Sequence, residues 1–436
     1  MAGIKKPPPP SQATSSSSSS SHRPFNTLIT LTFLLISALS LWVMRIDTAL
    51  NDVPADFLPQ VESGYLQPSP VILSSSTSSS EQHQPLPLHL RKHYTGIAAL
   101  DEVLAFLVAA FVAGPAGLDP GIRLQQVHFL VSFYAIAAVW AVEASRTQHV
   151  GRRSVTWTAL YALLYQTVGA AVIIPLFCVA HLAASADGGK GGENGRERGR
   201  GRQMRPGYAV ALLPATALGY LVPTVAVYAH GYWGGDLDVT QGLIAFWQPA
   251  PLLMEVLLVV LASISALYPS LSSSPKTKTT TKSSSRQNND VPHLKRLYLF
   301  AGIVTAITHL GVLYSIYTAS SDSRLSFSYV FLPNRTTWRQ SMALGLHWIF
   351  QWDWWGVLVA SLLWCWVVVC DVLRARNGGV GGGWSSVGVA GAVIAAVAVV
   401  AGPGTAIAAV WSWREDKLVL LEVSQGEGEG GKPKGA

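Results

Sequence analysis

The stretch HWIFQWDWWGV, residues 347–357, sets Trp348, Trp352, Trp354 and Trp355 around one acid, Asp353. An apolar run follows directly. Other carboxyl groups stand in similar places. Asp101 and Glu102 open an apolar run, Glu143 closes one, Asp236 and Asp238 precede another, and Glu255 lies near the middle of 243–267. Ionisable side chains inside apolar spans are costly, so each is a candidate for function. Acids beside indole and phenol rings suit carbocation cyclisation. A carboxyl group in apolar surroundings holds its proton at neutral pH and can give it to an epoxide or an alkene. The cation then travels along a polyene, and an aromatic face stabilises it by up to about 2 kcal/mol once water is excluded. On this reading Asp353 and Glu255 are the first choices for general acid, with Asp101 and Glu143 as orienting or relay partners. Trp247, Trp352 and Trp355 shape the cation pocket with Trp140 and Tyr165, and His347 or His230 takes up the final proton.

Ordinary membrane chemistry competes with each assignment. Trp and Tyr at span ends commonly form an interfacial belt. Acids at helix starts, such as Asp101, Glu102 and Asp353, also complement the helix dipole. Glu143 could cap a membrane edge beside Arg146, and Asp371 could pair with Arg374 or Arg376. His181 and His309 read as hydrogen-bonded core histidines. Glu255 is hardest to explain this way, because a mid-span carboxyl needs a polar partner or a function.

These groups must be held by membrane helices. Of the 436 residues, 50% are hydrophobic and 13% charged, with mean hydropathy +0.32. Soluble domains carry about 25% charged residues. The net charge of +7 resides largely in loops such as GRERGRGRQMR (195–205) and KTKTTTKSSSR (276–286), the pattern of cytoplasmic flanks rather than of a nucleic-acid surface. Cys178, Cys365 and Cys370 form no disulfide framework or CxxC pair. The fold class expected is an all-α polytopic membrane bundle of about eight or nine transmembrane helices. Residues 1–23 are a Pro/Ser-rich disordered tail, 24–44 an anchor helix, 45–92 a polar loop, 93–411 the catalytic bundle and 412–436 a polar tail. Low-complexity linkers fall at 185–207 and 270–293. After the anchor, spans are expected at 97–113, 127–145, 155–183, 208–230, 243–267, 297–318, 354–373 and 387–411, with Pro175 kinking the long third of these.

The Lys and Arg bias, with the sequon Asn334-Arg335-Thr336, favours a cytoplasmic N-terminus in an endoplasmic-reticulum membrane. If successive spans alternate in direction, Asp101, Glu102, Glu143, Asp236, Asp238 and Asp353 share one membrane face, above a buried Glu255. No DDxxD motif is present to hold a magnesium diphosphate, and DLDV at 236–239 matches only part of the DxDD acid motif. HExxH, Walker and GxSxG motifs are absent too. Neither a metal nor a cofactor is expected.

HYTGIAALDEVLAFLVAAF (93–111), VTWTALYALLYQTVGAAVIIPLF (155–177), AFWQPAP (245–251) and FQWDWWG (350–356) resemble fungal membrane-bound terpene cyclases of the ascofuranone type, a class that includes members from indole-diterpene clusters. The likeness spans about 93–411. It implies cyclisation of an epoxidised farnesyl or geranylgeranyl chain, often joined to an aromatic or indole unit. The chain lacks the AWEF-like acid motif of the smaller meroterpenoid cyclases, so their catalytic acids are not carried over. The partners expected are a hydrophobic isoprenoid drawn from the bilayer, membrane lipids, and a pathway prenyltransferase and epoxidase, with no nucleic acid. A transporter or channel would instead spread its acids through the membrane depth, and a non-catalytic scaffold would leave them facing solvent.

Overall fold

Backbone polar groups in a bilayer must pair within the chain, and for long apolar runs that means helices. The computed structural model describes residues 23, 26–67, 87–187, 202–205, 207–267, 288–319, 322–377 and 384–430. The expected disordered tail, apart from residue 23, and most of both linkers lie outside them. The principal helices are α1 (Asn26–Leu50), α2 (Phe57–Ser63), α3 (Ala98–Phe111), α4 (Pro120–Ser145), α5 (Thr158–Val168), α6 (Ala170–Asp187) and α7 (Tyr208–Tyr232). They continue with α8 (Leu237–Trp247), α9 (Ala250–Leu267), α10 (Val291–Thr318), α11 (Met342–Arg376), α12 (Trp384–Ala401) and α13 (Pro403–Gly430). The one sheet among the described residues pairs Tyr65–Leu66 with Leu88–His89. The protein is an all-α polytopic bundle.

Six of these helices, α1, α4, α7, α9, α10 and α11, are long and apolar enough to cross a membrane. Helix α4 is the central post, with 94% of its most apolar window buried against 22% for α10. Leu299, Ile303, Ile307 and Leu310 on α10 stay exposed, as do Val256, Val259 and Val260 on α9. Such apolar stripes suit lipid, which asks for no polar face.

Two of the expected spans are helical hairpins instead. The run 155–183 breaks at Gly169, not at Pro175, which sits inside α6. Its two arms run in opposite directions along α4: Tyr161 and Tyr165 meet Trp140 and Phe133 at 5.8 and 5.2 Å, whereas Phe177 stacks on Trp140 at 4.0 Å. Gly169 adopts φ +109°, a region that only glycine enters freely. The run 387–411 turns likewise at Gly402, φ +97°. A hairpin that turns inside the bundle returns the chain to the face it left. Helix α11 therefore runs parallel to α4, with Gln125 bonded to the Phe350 carbonyl and, further along both helices, His181 bridging Glu143 to Trp364. Strict alternation fails, and Glu143 leaves the expected gathering of six carboxylates.

Helix α1, the expected first span, packs on the bundle along one side. The Ser37 hydroxyl donates to the Val172 carbonyl at 2.7 Å, Arg23 pairs with Asp371, and Asp47 pairs with Arg335 at 2.9 Å. Gly356 of α11 lets Ser40 and Ala171 approach; a Cβ there would lie 2.4 Å from that of Ala171. Small residues at such crossings are how membrane helices gain close packing. At the other terminus the expected polar tail begins inside α13, which remains helical to Gly430.

Candidate active site

Residues 346, 349, 350 and 353 follow the i, i+3, i+4, i+7 spacing of one helical face. On α11 that face lines a cavity of about 560 Å³. The cavity walls carry Phe57, Phe106, Phe111, Phe129, Phe133, Tyr165, Tyr220, Trp247 and Phe350, and its charged groups are Arg45, Glu102 and Asp353. The rings are braced against each other: Phe111 lies 5.2 Å from Trp247 and 4.9 Å from Phe350, and Phe133 lies 5.2 Å from Tyr165. Trp247 is further fixed by its indole N–H, which donates to Thr224 Oγ1 at 2.9 Å. At the rim, Glu102, Val103 and Phe106 are exposed.

Asp353 is 8% exposed, and its Oδ1 accepts the Ala171 N–H at 2.6 Å. Ala170 adds a second backbone N–H. These are the first residues of α6, whose leading N–H groups have no partner within the helix. The carboxyl group thus caps a helix buried in the bundle and is fixed in direction toward the cavity. The Gly169 turn makes this possible by bringing the α6 N-terminus to α11. A Cβ on Gly169 would lie 2.6 Å from Met44 Cε and 3.6 Å from Asp353 Oδ1.

The other anticipated site residues separate into distinct groups. Trp247 and Tyr165 line the cavity, and Trp140 lies behind Tyr165 at 6.4 Å. Trp352 and Trp355 do not line it: Trp352 turns to Trp348, and the Trp355 indole donates to the Phe331 carbonyl at 2.9 Å. His347 belongs to the face beside the cavity, where its Nε2 meets the Tyr329 carbonyl at 2.9 Å. Trp354 shares that direction and donates to His128 Nδ1, which leaves His128 Nε2–H to donate to His309 Nδ1 at 2.9 Å. Neighbours on a helix point about 100° apart, so the indoles that flank Asp353 in the sequence do not surround its carboxyl in space; Trp354 and Trp355 instead pack on each other at 4.7 Å.

Asp101 is buried, and its carboxylate accepts the backbone N–H groups of Tyr94, Thr95 and Gly96. It holds the turn before α3, while its neighbour Glu102 reaches the cavity. Glu255 is half-buried and accepts the Ala159 N–H, so it caps α5 much as Asp353 caps α6. His230 is at the surface, with Nε2 against the Asp236 carbonyl.

Glu143 lies in another place altogether. It is fully buried, and its oxygens take Arg146 Nε and Arg414 Nη1, both at 2.9 Å, with Trp411 Nε1 and His181 Nε2 at 3.1 Å. Arg146 goes on to Glu415, and Arg202 joins Glu415, Glu422 and Asp290. This network ties α4, α6, α10 and α13 together. Glu143, His149 and His181 offer ligand atoms within 4.8 Å of one another. Both ring nitrogens of His181 are nevertheless engaged, one by Glu143 and one by the Trp364 indole, and two guanidinium groups already neutralise the carboxylate. The arrangement is an ion-pair lock.

Sequence reasoning missed the contribution of the first helix. Met44 and Arg45, with Pro54 and Phe57, complete one side of the cavity. The signal was Arg45 itself, the charge that directly follows the apolar run 24–44.

Residues 72–420 match the CtvD domain family. The chain is 24% identical over 406 residues to the terpene cyclase sdgD of Emericella nidulans, a match covering 92% of this chain and 97% of that protein. It is 31% identical over 166 residues to the terpene cyclase ctvD of Aspergillus terreus, covering 37% of this chain and 44% of the other. With the terpene cyclase ascI of Acremonium egyptiacum, identity is 25% over 279 residues, or 62% of this chain and 66% of that protein. No solved structure matches the chain.

Proposed function

The chain belongs to the CtvD domain family and is a terpene cyclase, and from that premise we propose that it closes rings by protonating an epoxidised isoprenoid chain, in a membrane and without a metal. One observation carries this reading: a single buried carboxyl group, held by two backbone N–H donors, faces a cavity walled by aromatic rings. Asp353 gives its proton to the epoxide oxygen as the C–O bond breaks. A neighbouring alkene attacks the carbon left electron-poor, and each ring closure moves the positive charge along the chain. The N–H groups of Ala170 and Ala171 stabilise the carboxylate that remains, as donors aimed at a developing charge do. Ring closure ends when a C–H proton is lost, and Glu102, which lines the same cavity, is the group proposed to take it. Substrate and product then have the same mass.

The substrate class follows from the lining. Apart from three charged groups the walls are almost wholly aromatic or aliphatic, which suits a polyisoprenoid that partitions into the bilayer. The exposed Val103 and Phe106 at the rim give such a chain an apolar way in from the side. A prenyltransferase and an epoxidase would supply it.

Removal of Trp247 tests the role of the walls. Loss of one cation–π face of up to about 2 kcal/mol corresponds to a rate loss of up to about 30-fold. In membranes given a terminally epoxidised farnesyl phenol and a chelator, Trp247→Leu is expected to approach that loss or to release less cyclised products. Trp247→Phe, which keeps a ring, is expected to lose much less. A wild-type enzyme silenced by the chelator contradicts the metal-free reading.

Orientation is part of the proposal. Arg23 pairs with Asp371 at one end of α1, and Asp47 pairs with Arg335, next to Asn334, at the other. The sequon and Arg23 thus lie at opposite ends of α1. With a cytoplasmic N-terminus in the endoplasmic reticulum, Asn334, which is exposed, meets the lumen. A glycosidase-sensitive mass shift lost in Asn334→Gln is the expected result.

A further inference from the structure

Helix α1 precedes the segment that matches the family, which begins at residue 72. Yet α1 reaches the same cavity as Asp353. Residues 42–46 wind as a π-turn, a local irregularity that recurs at functional sites. Arg45 sits in that turn. Its Nε donates to the Val168 carbonyl at 3.0 Å and its Nη2 to the Thr167 carbonyl at 3.1 Å. Those carbonyls end α5, where the helix dipole presents negative charge. Across the Gly169 turn, Asp353 covers the opposite pole, the N-terminus of α6. One cation and one acid therefore hold the two helix ends on either side of a single glycine.

From this arrangement we propose that Arg45 is a positioning residue for the cyclisation, holding the Gly169 turn so that Asp353 stays aimed into the cavity. The inference rests on Asp353 being the proton donor. Three features support it. Arg45 and Asp353 both line the cavity, near enough for the guanidinium to favour the carboxylate form of Asp353. The Met44 side chain packs where a Cβ on Gly169 would stand, so the π-turn and the Gly169 turn are fitted to each other. The end of α1 is also pinned from outside, by Asp47 to Arg335 and by Asn51 to Arg339, in the loop leading to α11. When Asp353 gives up its proton, Arg45 is the cation left facing the new carboxylate. No step is routed through Arg45 itself: it neither gives nor takes a proton.

The test compares Arg45→Gln, Arg45→Lys and Asp353→Asn in the full-length protein, assayed in membranes with a terminally epoxidised farnesyl phenol. Arg45→Gln is expected to lower kcat by about 10- to 100-fold with KM changed less than about twofold, since a misaimed group slows chemistry more than binding. Arg45→Lys keeps the charge and a donor and is expected to recover part of that loss. Thermal unfolding in detergent is expected to place Arg45→Lys at the wild-type midpoint. Wild-type kcat in Arg45→Gln, or a loss in Arg45→Lys equal to that in Arg45→Gln, overturns the proposal. Should Asp353→Asn cyclise at the wild-type rate, it is the donor assignment that falls. A silent Asp353→Asn beside a fully active Arg45→Gln removes only the role given to Arg45.

Discussion

Asp353→Asn is expected to lower cyclisation by about 10²- to 10⁴-fold, the contribution typical of a positioned general acid. The fold should survive the change. The amide oxygen can still accept the N–H groups of Ala171 and Ala170, so the α6 cap is kept and only the acidic proton is lost. Asp353→Glu retains the proton but lengthens the side chain by a methylene. Its carboxyl would be pushed off the α6 N-terminus, and an intermediate rate is expected. Glu255→Gln is the informative control. Glu255 also caps a helix, through the Ala159 N–H, but it is not among the groups lining the cavity. Its turnover should stay near wild type. Product formed per folded molecule is the measurement, with unfolding midpoints to match the samples.

Glu143→Gln is expected to cost about 3–5 kcal/mol of stability, the usual result of removing one partner from a buried ion pair. Arg146 and Arg414 both donate to the Glu143 oxygens and are nearly or fully excluded from water. A neutral amide would leave them facing each other with Glu415 alone between them. An amide NH₂ would also point at one donor, adding an unmet hydrogen bond. Asp353 lies 11 residues along α11 from Trp364, the level of Glu143, or about 16 Å at 1.5 Å per residue. The variant should therefore unfold at a lower temperature while each molecule that remains folded turns over at the wild-type rate. Lost turnover at unchanged stability would place Glu143 in the chemistry after all.

The helices were legible because apolar runs in this chain are long and nearly free of charge. Trp247 and Tyr165 stand out in the sequence and both line the cavity. Direction was much less legible. Gly169 and Gly402 look like ordinary small residues in apolar runs, yet each turns the chain back inside the bundle. One unnoticed reversal changes the face assigned to every later residue, and so Glu143 and Asp353, expected together, lie at different ends. The indoles of 347–357 misled for a similar reason. Residues adjacent in sequence take different faces of α11, and of 347–357 only Ile349, Phe350 and Asp353, none of them an indole, reach the cavity. Arg45 could not be assigned from composition, because its partners Thr167 and Val168 are carbonyl groups more than a hundred residues away. The carboxylates presented the opposite difficulty. Asp101, Glu143 and Glu255 look alike as acids near apolar runs, and only their partners distinguish a turn brace, an ion-pair lock and a helix cap.

The most direct test is to capture the cation beside its proton donor. In a terminally epoxidised farnesyl phenol whose next alkene is saturated, protonation opens the epoxide but no ring can close. The electron-poor carbon then meets the nearest nucleophile, and attack by the new carboxylate oxygen leaves an ester. Peptide mass spectrometry of the treated enzyme is predicted to find that ester on Asp353, reduced by an excess of the unsaturated chain and absent from Asp353→Asn. An ester on Glu255 or Glu143, with Asp353 unmodified, would contradict the assignment.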